Sequence, residues 1–194
     1  KEVIHENYAA LTRISFVSAQ KPQILAIIGQ GYVGLPLAMA AVDAGWSVIG
    51  VDNFATKVAR INAGLSPVED ISNAQLKAAL TSGAYRATTE ISDIAKASVI
   101  TICVPTPLDD KREPDLSLLR SAAIGIAPFV ANETLIVSES TSYPGTLRKE
   151  IAARITGVSH LYASSPERVD PGNTQWGTKN TPRLIGGLTP EAVT

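Results

Sequence analysis

Apolar positions in this chain come in blocks. "ILAII", Ile24 to Ile28, has no polar break, the pattern of a strand buried on both faces. "YVGLPLAMAAVDAG" follows with apolar residues at helical spacing and Gly45 as a stop. "SVIGVD" predicts a second buried strand, and "ATKVARINAG" a helix closed by Gly64. After Pro67, "EDISNAQLKAALTSG" predicts an exposed helix and "YRATTE" a short strand. "SVITICV" is dominated by β-branched residues and reads as another buried strand. "PTPLDDKREP" is a polar loop punctuated by proline. "DLSLLRSAAIGIAPFV" predicts a helix whose start Asp115 can cap. "TLIVSES" reads as a strand, "PGTLRKEIAARI" as a helix with proline near its first turn, "HLYAS" as a further strand and "PRLIGG" as a short one. The first 22 residues are mixed, and "ENYAALTRISFV" reads as a short helix or an unstructured lead.

Strand and helix therefore alternate through most of the chain with short connections. That alternation predicts an α/β fold of the Rossmann type: a doubly wound, mainly parallel sheet with helices on both faces. Ligands of such a sheet gather at the carboxyl ends of its strands. The expected organisation is a lead over 1–22, a dinucleotide-binding domain over 23–188 and the start of a linking segment over 189–194.

Composition narrows the function classes. The net charge is −1, without a basic stripe, so binding to a nucleic-acid backbone has no electrostatic support. No apolar run reaches the ~18 residues of a membrane span. The opening residues lack the basic start and apolar stretch of a signal peptide. The single cysteine, Cys103, excludes a disulfide framework and fits a reducing, cytoplasmic setting. The chain opens on Lys1 instead of methionine and reads as a trimmed chain or fragment.

The first candidate chemistry is "GQGYVG", in which Gly29, Gly31 and Gly34 match G-x-G-x-x-G between a buried strand and a helix. Gly29 serves the tight turn, Gly31 the approach of a pyrophosphate, and Gly34 the close packing of helix on strand. First-turn amides around Tyr32 and Val33, with the helix dipole, then hold the phosphates. Asp52 ends the second strand about 20 residues on, where a carboxylate accepts ribose hydroxyls and repels a 2′-phosphate. Asn53 follows it, and Lys57 is the nearest cation. The expected cofactor is NAD in preference to NADP. The plainer alternative for Asp52 is a strand end or a helix cap.

"GQGYVGLPLA", "VPTPL", "PDLS", "ESTSYPGT" and "SPERVDPGN" occur in this order. Together they resemble the UDP-glucose/GDP-mannose dehydrogenase family, and most closely its branch acting on UDP-N-acetylhexosamines. The resemblance spans about Ile24 to Gly187. It implies an NAD-dependent oxidation of a sugar-nucleotide 6-hydroxyl to a carboxylate, through a thioester on an enzyme thiol. In such enzymes the thiol and a helper lysine lie beyond the first domain. Cys103 does not match that thiol, and reads as a buried strand cysteine. The resemblance also implies a homo-oligomer for the complete enzyme, with much of the contact made by the central segment, so that this chain alone is expected to be monomeric.

The same resemblance assigns roles at the strand ends. Val104, Pro105 and Thr106 meet the cofactor; for Thr106 the alternative is a turn hydroxyl bonded to its own backbone. Thr141 works beside the reacting carbon and a water, or else merely caps the following helix. Ser142 and Tyr143 stand where the family often has valine and proline. Glu167 holds or activates the water of thioester hydrolysis, with a pKa raised by dehydration. Arg168 faces the substrate's diphosphate or acetamido sugar, and Val169 belongs to the same substrate contact. A surface Glu–Arg pair is the alternative for both charges. "DDKRE" reads as a solvated loop, and His5 and His160 have no partner arrangement. Two rival functions stay open: the cofactor half of a β-hydroxyacid dehydrogenase, and a free-standing NAD-sensing regulatory module.

Overall fold

The computed structural model describes residues 23–156, 159–168 and 180–194. The expected lead, with His5, lies outside them, as do Val169, Pro171, Gly172 and Trp176. Strands β1 (Ile24–Ile28), β2 (Ser47–Val51), β3 (Tyr85–Thr88), β4 (Val99–Ile102), β5 (Leu135–Ser138), β6 (Leu161–Ser164) and β7 (Gly186–Gly187) form one sheet in the order β3-β2-β1-β4-β5-β6-β7. All pairings are parallel except that of β7 with β6. This is the expected dinucleotide-binding order, extended by one antiparallel edge strand.

The continuous apolar runs follow from burial on both faces. Along β1, Leu25 and Ile27 point into one core, with Leu35, Ala38 and Met39 of α1 (Gly34–Asp43) and Val58 and Ile61 of α2 (Ala55–Asn62). Ala26 and Ile28 point into the other, with Leu119, Ala123 and Ile126 of α4 (Ser117–Ile126). Each fully buried Leu or Ile contributes about 1.5–3 kcal/mol relative to exposure. Gly45 and Gly64 end their helices in the left-handed region, at φ 90° and 73°.

Three elements differ from expectation. The helix expected to be exposed, α3 (Asn73–Thr81), sets Leu76 and Ala79 into the first core; Ser72 caps it through its hydroxyl. The "PGT" segment forms no regular α-helix. A π-helical turn over Leu147–Ile151 runs into a 3-10 turn over Ala152–Arg154, which brings Leu147, Ile151 and Ile155 all onto the second core. "PRLIGG" contributes only Gly186 and Gly187 to the sheet. Pro182 lacks an amide to pair, and Leu184 and Ile185 are exposed. Residues Pro190–Val193 form a 3-10 turn packed against β6 and β7, with Ala192 buried.

Candidate functional site

The loops leaving the carboxyl ends of β1, β2, β4, β5 and β6 enclose a cavity of ≈ 410 Å³. The glycine turn forms its floor. Gly29 has φ 96°, and a Cβ there would lie 2.5 Å from the Cys103 carbonyl oxygen. A Cβ on Gly34 would overlap the Gly29 carbonyl oxygen. At Gly31, by contrast, a Cβ meets nothing within 4 Å: the open space is on the cavity side. The helix α1 has Val33 at its N-cap, without a side-chain cap and without an acidic residue in its first turn. In the first turn the Leu35 amide already donates to the Gly31 carbonyl oxygen at 3.1 Å and Pro36 has no amide, so it is the positive helix end and the open glycine face that fit a pyrophosphate. Tyr32 and Val33 line the same space, whereas Gly34 is buried beneath it.

Asp52 sits just past β2 with only 5% of its side chain exposed. Its carboxylate takes three donors: the Gln30 amide at 2.9 Å, the Phe54 amide at 3.0 Å and the Lys57 ammonium at 2.7 Å. A carboxylate offers about four lone-pair positions, so roughly one stays free while Lys57 is in place. Lys57 also lies 5.1 Å from the centre of the Phe54 ring. A ribose diol seated on both oxygens needs this ammonium to move aside. Asn53 is exposed and does not line the cavity.

The opposite wall joins the loops after β4 and β5. Val104, Pro105, Thr106 and Thr141 all line it. The Thr106 hydroxyl donates to the Thr141 carbonyl oxygen at 2.8 Å, so it bonds neither its own turn nor open solvent but ties one loop to the other. The Ser140 hydroxyl does the same toward the Val104 carbonyl oxygen, at 2.7 Å. Cys103 is buried beside them; burial pushes its thiol well above its ordinary pKa, the Glu139 carboxylate adds to this, and Arg183 opposes it.

Glu167, just past β6, lines the cavity with its side chain 4% exposed. One carboxylate oxygen accepts the Arg168 amide at 2.7 Å; the other is held by the Arg183 guanidinium. The same guanidinium reaches Glu139 at 2.5 Å through its other nitrogen. Glu139 is buried, which raises its carboxyl above the ordinary range, while Arg183 and the Ser165 hydroxyl pull it back. The Glu167 carboxylate at this edge is thus clamped by a guanidinium. Arg168 is exposed and does not line the cavity; its backbone, not its side chain, is what touches Glu167.

Five residues escaped the sequence reading: Glu139, Arg183, Gln30, Tyr85 and Gly50. Glu139 and Arg183 are 44 positions apart, and no local spacing connects them. Gln30 occupies a variable position of the glycine motif, yet it is fully buried. Its amide nitrogen donates to the carbonyl oxygens of Ile27 and Gly29, and its amide oxygen accepts the Tyr85 hydroxyl at 2.7 Å. Gly50 makes room for this: a Cβ there would lie 2.5 Å from the Gln30 amide oxygen. A polar residue in an otherwise apolar strand–turn junction is the only sequence signal that pointed to the network.

Among the described residues, no helix is long and apolar enough to cross a membrane, and no group of three His, Cys, Asp or Glu is placed to hold a metal ion. The family model "UDP-glucose/GDP-mannose dehydrogenase family, NAD binding domain" matches residues 23–194. The chain is 34% identical over 175 residues to a UDP-N-acetyl-D-mannosamine dehydrogenase of Pyrococcus horikoshii, covering 87% of this chain and 42% of that enzyme. It is 31% identical over 176 residues to a UDP-N-acetyl-D-glucosamine 6-dehydrogenase of Pseudomonas aeruginosa, covering 86% of this chain and 40% of that enzyme. The solved structure of a UDP-D-ManNAc dehydrogenase from Pyrococcus horikoshii superposes with a TM-score of 0.81 at 32% identity, over 88% of this chain and 42% of that one. The chain thus spans about two fifths of the length of the curated relatives it matches. With the glycine floor, the acidic strand end and the matched residues all in agreement, this chain belongs to the UDP-glucose/GDP-mannose dehydrogenase family, of which it is the NAD-binding domain.

Proposed function

We propose that this chain is the cofactor-binding part of a UDP-N-acetylhexosamine 6-dehydrogenase that oxidises the sugar C6 alcohol to a carboxylate in two NAD-dependent steps. The observation that carries the reading is the meeting of Thr141 and Glu167 at the same cavity as the glycine turn and Asp52. The bound nicotinamide supplies the hydride acceptor. The chain's own residues supply position and proton handling. The glycine turn and the positive end of α1 hold the pyrophosphate, and Asp52 holds the adenosine ribose against a 2′-phosphate. The bonds from Thr106 and Ser140 keep the loops after β4 and β5 in one arrangement, so Thr141 faces the reacting carbon from a fixed wall. Glu167 has one partner on each oxygen, which leaves a lone pair on each for a water. Such a carboxylate takes a proton from the water that attacks the thioester. The thiol and lysine of that chemistry come from outside these residues, as does most of the contact of a homo-oligomer. The nucleotide-sugar substrate approaches the cavity from the side of Glu167 and Arg168, and the enzyme works in the cytoplasm.

The test uses the complete enzyme. Glu167→Gln is expected to keep NAD binding, to form the thioester and to accumulate it, because hydride transfer precedes the water step. Loss of one general base costs ~10²–10⁴ in the hydrolytic rate. Mass spectrometry of the variant mixed with substrate and NAD⁺ reads the adduct. Normal turnover with no adduct would make Glu167 a structural charge only.

A further inference from the structure

Arg183 has no part in the chemistry described so far, yet it organises the carboxyl edge of the sheet. It stands before β7 at the far end of the chain and reaches back to two separate loops. One terminal nitrogen contacts Glu139, past β5, and the other contacts Glu167, past β6. The guanidinium side chain is 17% exposed, and the two carboxylates are 6% and 4% exposed. The Glu167 amide donates to the Glu139 carbonyl oxygen at 3.1 Å, so the two loops are also joined through their backbones. These two acidic side chains therefore lie beside each other in a dehydrated place, and a planar cationic fork sits between them.

We propose that Arg183 is a positioning residue for Glu167: one nitrogen of its guanidinium aims the Glu167 carboxylate at the cavity, while the other offsets the neighbouring charge of Glu139. The role rests on the reading of Glu167 as the water-handling base. Without the guanidinium, two carboxylates share one poorly hydrated edge, and one of them takes a proton at a pH where both are ionised in the native enzyme. A protonated Glu167 cannot accept a proton from water. The other ionisable groups at this cavity are the Cys103 thiol, held protonated by burial, Tyr32 on the glycine turn, and the Asp52–Lys57 pair on the far side.

The decisive measurement is the pH profile of the hydrolytic step in the complete enzyme, with the carboxyl carbons of ¹³C-labelled glutamate followed in parallel. The rate falls on the acid side as Glu167 gains its proton. In Arg183→Gln that limb is expected to move to higher pH by about one unit or more. The KM for NAD should stay unchanged, since Arg183 does not line the cofactor cavity. Arg183→Lys restores the charge and returns the limb toward its native place, but it keeps a lowered kcat because an ammonium lacks the two-pronged geometry. Adding Glu139→Gln to Arg183→Gln also returns the limb, by removing the competing carboxylate. A folded Arg183→Gln enzyme with the native limb and the native kcat would overturn the proposal. If Arg183→Gln does not fold, Glu139→Gln alone decides: with Arg183 given over to Glu167, the limb moves to lower pH, and an unmoved limb refutes the pairing. Should Glu167→Gln hydrolyse normally, the assignment of the base fails, and the shift of the Glu167 carboxyl resonance in Arg183→Gln then supports or overturns the clamp independently of catalysis.

Discussion

Gly31→Ala and Gly34→Ala exchange the same hydrogen for the same methyl three positions apart, and the structure separates their effects. At Gly31 the added carbon touches nothing within 4 Å, and the backbone there is not in the left-handed region. Replacing such a glycine by alanine removes freedom from the unfolded chain and stabilises by about 0.4–1 kcal/mol. For a domain of this size that is a rise in Tm of about 1–4 °C. The methyl nevertheless stands where a phosphate must approach the amides of the glycine turn. Hydrogen bonds to a charged partner are worth about 1.5–3 kcal/mol each. Loss of two costs about 3 kcal/mol or more, which is a ~100-fold or greater loss of affinity. At Gly34 the methyl overlaps the Gly29 carbonyl oxygen, and α1 cannot retreat because Leu35 and Met39 are packed into the core. Such overpacking costs about 1–3 kcal/mol or more, a fall in Tm of about 2–12 °C. Thermal melts with and without NADH, and titration of NADH fluorescence, read both quantities. Native affinity in Gly31→Ala would mean that the pyrophosphate lies elsewhere, and a native Tm in Gly34→Ala would mean that the helix does not press on the turn.

Two further outcomes follow from the same cavity. Asp52→Ala removes the acceptor of two backbone amides and an ammonium; it should lower stability by about 2 kcal/mol or more and narrow the preference for NADH over NADPH in calorimetric titrations. Equal affinity for the two cofactors in the unmodified chain would refute the role of Asp52. The buried, protonated Cys103 should resist maleimide at neutral pH over times that label the denatured chain, and the 194-residue chain should turn over no UDP-hexosamine. Rapid labelling, or turnover that survives Cys103→Ala, would overturn both the placement of the thiol and its exclusion as the nucleophile.

What could be read beforehand was whatever repeats locally. Ile24–Ile28 is a continuous apolar run because its alternate residues enter two different cores, and a one-dimensional pattern records that directly. Gly45 and Gly64 mark helix ends because their backbones need a positive φ. Asp115 was expected to cap α4, but the N-cap position falls on Leu116, which gives no side-chain cap; the Asp115 carboxylate accepts the Ser117 amide at 2.8 Å from one residue further out. The Gln30–Tyr85 bond crosses 55 positions and the Arg183–Glu139 pair 44, so their partners are chosen by the sheet order and not by spacing. The same holds for β7, where a two-residue pairing depends on which edge is free, and for the π turn at Leu147–Ile151, where packing overrides the regular helix that the residues prefer. Lys57 was read as a nearby cation, but its contact with Asp52 depends on how α2 leaves the strand.

The strand order also has a temporal meaning. The central strand β1 bonds to the start of β4 through Ser98 and Ile24, a link across 74 positions. Contacts of such long reach close late, since their entropy is lost before their energy is gained. The cavity borrows a loop from each of five strands, so it is complete only when all five are in place. The cofactor is therefore a ligand of the finished domain alone. A concentration one hundred times its dissociation constant would deepen the native well by about 2.7 kcal/mol. That gain belongs to the whole sheet, so proteolysis should slow even at loops remote from the cavity, such as the turn at Gly83, wherever cutting requires global unfolding. A cell rich in this dinucleotide would thus hold the protein longer.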